Sequence, residues 1–164
     1  MTVTKKQSLV RLMIIAGAII LADQLTKALI MAQLPLYERI GVTSFFNITH
    51  VLNPGGAFGM FAQQSPAVRQ FFFLFVSSLV SVGLLWFYAQ VAREYRFLSM
   101  GLAGIFGGAV GNLIDRFRFG QVVDFLDFYI GAYHWPAFNV ADSAICIGMG
   151  ILFYHVILNK IPEM

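Results

Sequence analysis

Residues 97–119 read FLSMGLAGIFGGAVGNLIDRFRF, and this stretch decides the fold. A helix needs about 20 mostly apolar residues to cross the hydrocarbon core of a bilayer, and this one is long enough. Gly104 to Gly108 and Gly107 to Gly111 repeat the four-residue spacing that lets membrane helices approach closely. Packing accounts for the glycines. It does not account for Asn112, Asp115 and Arg116, which follow at i, i+3 and i+4 and share one helix face. An ionised side chain at mid-bilayer costs about 2.5–3.5 kcal/mol on insertion scales, so each one retained needs a partner or a task.

Three further segments, 9–32, 66–91 and 140–158, meet the same length and hydropathy requirement. The composition agrees: of 164 residues 59% are hydrophobic, 15% aromatic and only 12% charged, with mean hydropathy +0.75. A soluble domain carries about 25% charge, so lipid must be the solvent here. Disorder, a coiled coil and nucleic-acid binding are excluded by the same figures. Residues 1–164 read as one membrane domain, with a short connection at 92–96 and longer ones at 33–65 and 120–139. The first segment is not expected to be cleaved, because Asp23 and Lys27 follow Ile20 where a cleavage site would need small residues.

Lys5, Lys6 and Arg11 precede or open the first span, Arg93 and Arg96 lie in the short connection, and Lys160 follows the last span. The positive-inside rule therefore puts both termini in the cytoplasm and the two longer connections on the exported side. Arg116 and Arg118 break that rule; Arg118 suits snorkelling, whereas Arg116 belongs to the polar run. In 33–65, Ile40, Val42, Phe45, Ile48, Val51 and Leu52, interrupted by Gly41 and Asn53-Pro54-Gly55-Gly56, predict short strands joined by turns.

The remaining polar residues form groups. Asp23 and Lys27 lie four apart on the first helix and can neutralise each other. Asp124 and Asp142 fall at the same exported membrane face, each among apolar residues that disfavour its charged form. Two such carboxyls in one site titrate as a unit and can hold one proton between them, the state needed to activate water. Capping offers a plainer account of Asp142, with Asn139 as N-cap of the fourth helix, and Asp124 and Asp127 also suit simple interfacial charges. There is no Gly-x-Ser-x-Gly motif, and His50, His134 and His155 lack metal-ligand spacing, so no metal is expected. Cys146, in an apolar stretch, reads as a packed core residue.

Five blocks in order now carry a resemblance: Asp23-Gln24-Leu25-Thr26-Lys27, Asn53-Pro54-Gly55-Gly56-Ala57-Phe58-Gly59, Gly111-Asn112-Leu113-Ile114-Asp115-Arg116, Val122-Val123-Asp124-Phe125 and Phe138-Asn139-Val140-Ala141-Asp142-Ser143. Over nearly its whole length the chain resembles the bacterial lipoprotein signal peptidases, or signal peptidases II, membrane aspartic proteases of lipoprotein maturation. The resemblance implies a catalytic dyad at Asp124 and Asp142, with Asn53, Asn112, Arg116 and Asn139 lining the site and Asp23 and Asp115 supporting it. Trp135, where Phe is usual, and Gly56, where Ala is frequent, are small departures.

The implied fold is all-α in the membrane: four transmembrane helices, a small periplasmic β-sheet cradle and a short exported helical segment between the last two spans. The implied substrate is a prolipoprotein cut before its diacylglyceryl-modified cysteine. The implied setting is the inner membrane, with the site toward the periplasm, membrane lipid as surroundings, no nucleic acid, no cofactor and a monomeric chain. A proton- or ion-coupled transporter is the competing reading, since embedded charges also mark transport paths, but no internal repeat is evident. A lipid-binding assembly subunit, the third reading, would leave the aspartates dispensable.

Overall fold

The computed structural model describes residues 3–55 and 64–158. Residues 56–59 of the second sequence block and Lys160 of the charge pattern lie outside these. Among the described residues four helices are long and apolar enough to span a membrane: α1 (Lys5–Gln33), α2 (Pro66–Val91), α3 (Arg96–Phe119) and α4 (Val140–Ile157). Four strands among the described residues complete the order: β1 (Arg39–Thr43) and β2 (Phe46–Asn53) between α1 and α2, then β3 (Val122–Ile130) and β4 (Tyr133–His134) between α3 and α4. They form one antiparallel sheet in sequence order.

Local chemistry sets the helix ends. α1 starts before the apolar run because Thr4 and Gln7 form a capping box: the Gln7 N–H donates to Thr4 Oγ1 (3.2 Å) and the Thr4 N–H to Gln7 Oε1 (2.9 Å). Ser65 caps α2 and Pro66 opens its first turn. Gly120, at φ 73°, ends α3 in the left-handed conformation that favours glycine.

α3 is the central helix. In its most apolar stretch 61% of residues are buried, against 11%, 11% and 17% for α1, α2 and α4. The glycines make this possible: a Cβ on Gly107 would press on the backbone of Ala16 in α1, and one on Gly108 would collide with the Ala141 carbonyl of α4. The other helices turn large apolar side chains outward, among them Met13, Phe71 and Ile147. Outward apolar faces around a glycine-lined centre are the arrangement lipid requires. Cys146 lies on such a face and is exposed, which corrects its reading as core; in lipid an apolar neighbourhood in sequence does not distinguish the helix's outer face from its packed one.

The α1 N-terminus and the α2–α3 turn meet at one end of the bundle, where the Val3 N–H donates to the Arg93 carbonyl (3.0 Å) and Arg11 Nη1 to the Ala92 carbonyl (3.2 Å). The sheet stands at the other end. Residues 120–139 contain no helix; they form β3, β4 and a bridge between Leu126 and Phe138, which corrects the expected helical segment. Val122-Val123-Asp124-Phe125-Leu126-Asp127-Phe128-Tyr129-Ile130 is rich in β-branched and aromatic residues, and β2 supplies the ladder partner it needs.

Candidate active site

The site is built on a buried cation. Lys27 Nζ has three protons and three acceptors: Asp23 Oδ2 at 2.9 Å, Asp115 Oδ2 at 2.7 Å and Asn112 Oδ1 at 2.9 Å. Lys27, Asp23 and Asp115 are each at most 1% exposed. The i, i+4 pairing of Asp23 and Lys27 is as expected; the cross-helix reach to Asp115 is additional. Gln24 Nε2 closes the cluster by donating to Asp115 Oδ1 (2.9 Å) and Asp23 Oδ2 (3.2 Å).

Each acid then grips the backbone next to a candidate catalytic residue. Asp23 Oδ1 accepts the Ala141 N–H (3.0 Å), one residue before Asp142, and Asp115 Oδ2 accepts the Val123 N–H (3.1 Å), one residue before Asp124. α1 and α3 thus set the height of the first turn of α4 and the first turn-out of β3 from a common point.

The two aspartates share a bridge of amides. Asn139, fully buried, is the N-cap of α4: its Oδ1 accepts the Asp142 N–H (2.9 Å), and its own N–H donates to Asp142 Oδ2 (3.2 Å). Its Nδ2 lies 2.7 Å from Asp124 Oδ1 and 3.1 Å from Asn112 Oδ1. Asn112 Nδ2 donates to Asp142 Oδ1 (2.7 Å), while Lys27 on the Asn112 oxygen fixes which way that amide faces. Asn53 Nδ2 donates to the other oxygen of Asp124 (3.0 Å), and Asn53 Oδ1 accepts the Gly55 N–H (2.9 Å) in the turn after β2. The capping account of Asn139 and Asp142 is therefore correct, and it is also what aligns them with Asp124.

Burial pushes the Asp124 carboxyl up to about 7, and the neighbouring Asp142 charge adds to the rise against the lowering pull of the Asn53 and Asn139 amides. Arg116 is half-buried above the Phe73 ring, 5.5 Å from its centre, in the field of Asp142, Asp124 and Asp115. Among the described residues it makes no ion pair within 4 Å. Arg118 is exposed and lies over Phe119. Asp127 stands apart. Burial alone would raise its carboxyl, but hydrogen bonds from Asn47 and His134 outweigh this and hold it below the usual carboxylate range, as a brace within the sheet.

Seven of the eight expected residues thus lie in one hydrogen-bonded network, and Arg116 stands beside it in the field of its carboxylates. Lys27 and Gln24 join them as orienting residues that sequence reasoning did not assign to the site; the signal was their presence as polar groups in a span beside Asp23. Among the described residues no group of three or more His, Cys, Asp or Glu side chains is placed to hold a metal ion.

The model of the family described as signal peptidase (SPase) II matches residues 15–158. The chain belongs to the signal peptidase II family. The lipoprotein signal peptidase of Desulforapulum autotrophicum is 65% identical over 159 residues, covering 96% of this chain and 98% of the relative. That of Syntrophus aciditrophicus is 46% identical, covering 94% and 97%. A solved bacterial membrane enzyme, determined by the in meso method at 2.3 Å, superposes with a TM-score of 0.82 at 29% identity, covering 99% of this chain and 96% of the other. Signal peptidases II are aspartic-type peptidases, and the family relationship makes this chain a multi-pass membrane hydrolase.

Proposed function

We propose that this signal peptidase II removes signal peptides from prolipoproteins by cutting before a diacylglyceryl-modified cysteine, with Asp124 and Asp142 as its catalytic pair. One observation carries the site assignment: Asn139 hydrogen-bonds to both carboxylates, and the residue preceding each is held by an acid of the Lys27 cluster. A transporter has no need to align two acids so closely at one end of its bundle.

In this reading Asp142 is the ionised member. It sits in the first turn of α4, where the helix dipole favours negative charge. Asp124, with its raised pKa, carries the proton and polarises the scissile carbonyl. Asp142 takes a proton from water, which adds to that carbonyl; the tetrahedral intermediate collapses as the leaving amine is protonated. Arg116 and Asn53 hold the substrate backbone beside the pair. The reaction needs neither metal nor organic cofactor.

The enzyme acts as a monomeric, single membrane domain in the inner membrane, both termini cytoplasmic and the aspartates toward the periplasm. The basic residues at the α1 and α2–α3 end support that orientation. A lipidated substrate then arrives laterally from the bilayer, its scissile bond at the depth of the sheet. The test is cleavage of a lipidated precursor peptide by purified protein: Asp124→Asn and Asp142→Asn should each abolish turnover while inserting and folding normally. An active double variant would refute the assignment.

A further inference from the structure

β2 carries one residue too many. Ile48 pairs with Leu126, yet Val51 pairs with Asp124, so three steps along β2 match two along β3. Paired side chains share a face and alternate along a strand. Regular pairing would put Phe46, Ile48, His50 and Leu52 on the Asp124 face and turn Asn53 to the opposite one. The bulge reverses the alternation, and Asn53 meets Asp124 Oδ2 at 3.0 Å. Bulges recur beside active sites because they re-aim a side chain in this way.

The extra residue is clamped by the loop that follows α1. The His50 N–H donates to the Glu38 carbonyl (3.1 Å), the His50 carbonyl accepts the Tyr37 N–H (2.8 Å), and Thr49 Oγ1 donates to the same Glu38 carbonyl (3.0 Å). Tyr37 adopts φ 67°, the one non-glycine residue with positive φ among those described, to make this turn. The buried His50 ring adds the link to the membrane helix: Nδ1 lies 2.8 Å from the carbonyl of Leu34, the C-cap of α1. A carbonyl only accepts, so Nδ1 bears the proton.

We propose that His50 is a positioning residue for the catalytic pair: by tying the bulge of β2 to the end of α1, it turns Asn53 onto Asp124. The inference rests on the assignment of Asp124 as catalytic. Asn53 donates to the ionised form of Asp124, so losing that contact moves the alkaline limb of the pH profile upward; the other groups acting on Asp124, namely Asp142, Asn139, Lys27 and Arg116, make no hydrogen bond with His50.

The experiment measures kcat, KM and the pH profile on a lipidated precursor peptide for His50→Leu, His50→Asn, Asn53→Ala and the double variant His50→Leu/Asn53→Ala. His50→Leu should lower kcat about tenfold or more with little change in KM, and move the alkaline limb upward as Asn53→Ala does. His50→Asn, which keeps an N–H donor near Nδ1, should restore most of the rate. In the Asn53→Ala background His50→Leu should add no further loss. An additive effect, an unmoved limb, or His50→Asn as impaired as His50→Leu overturns the proposal. If His50→Leu does not fold, Thr49→Val tests the same clamp: a partial kcat loss that vanishes in the Asn53→Ala background supports it, and an additive loss overturns it. An active Asp124→Asn enzyme would instead defeat the underlying assignment, whatever the His50 variants do.

Discussion

Replacing Lys27 by methionine removes one buried cation and strands two carboxylates. The side chains of Asp23 and Asp115 are 0% and 1% exposed, and they lie 2.9 and 2.7 Å from Nζ. Breaking a buried ion pair by deleting one partner costs about 3–5 kcal/mol, because the other charge is left without water or counter-ion. Here one ammonium serves two acids, so Lys27→Met should fall at or above the upper end of that range. For a chain of this size such a loss lowers the unfolding midpoint by on the order of 10 °C or more. The assay is thermal unfolding in detergent followed by intrinsic tryptophan fluorescence, which avoids reagents that would react with exposed Cys146. The triple variant Asp23→Asn/Lys27→Met/Asp115→Asn removes all three charges, while each amide oxygen still accepts the Ala141 or Val123 N–H; it should recover more than half of the loss. A Lys27→Met protein within about 1 kcal/mol of wild type, or a triple variant no better than the single, would refute the reasoning.

Other expectations follow from the same geometry. As pH rises through about 7, Asp124 loses its proton and kcat/KM should fall about tenfold per unit beyond that point; a profile flat from pH 6 to 9 would count against Asp124 as the acid. Because its folded pKa lies above the unfolded value of 3.8, stability should decline between pH 4 and 7, and Asp124→Asn should flatten that decline in the unfolding midpoint. Gly108→Ala should separate α3 from α4 at Ala141 and lower both stability and turnover, whereas Gly17→Ala, with no atom within 4 Å of the new Cβ, should change neither; matching melting curves would remove the close-packing argument. Arg116→Ala should reduce turnover far more than Arg118→Ala, and equal effects would remove Arg116 from the site.

The parts of this structure legible in the sequence are those governed by one-dimensional periodicity. Hydropathy located to within a few residues four helices long and apolar enough to span a membrane, the i, i+4 rule paired Asp23 with Lys27, and the Asn139 N-cap fixed Asp142 in the first turn of α4. Turn residues disclosed strands in 33–65. β3 was not legible, because both of its faces are largely buried and its apolar run lacks the alternation that marks a half-exposed strand. The union of Lys27 with Asp115 and the grip of Asp115 on the Val123 N–H are contacts between elements, which no local pattern encodes. The bulge in β2 was equally hidden: its consequence, the direction of Asn53, depends on the register of a partner strand far along the chain.

The anchoring of Ala141 by Asp23 has a consequence for biosynthesis. These partners lie 118 positions apart in sequence, α1 emerging first from the ribosome and α4 last. Until the final span is in place, Asp142 has no seat and Asp23 no Ala141 backbone proton to hold, so the pair proposed as catalytic comes together only when the last helix joins the first.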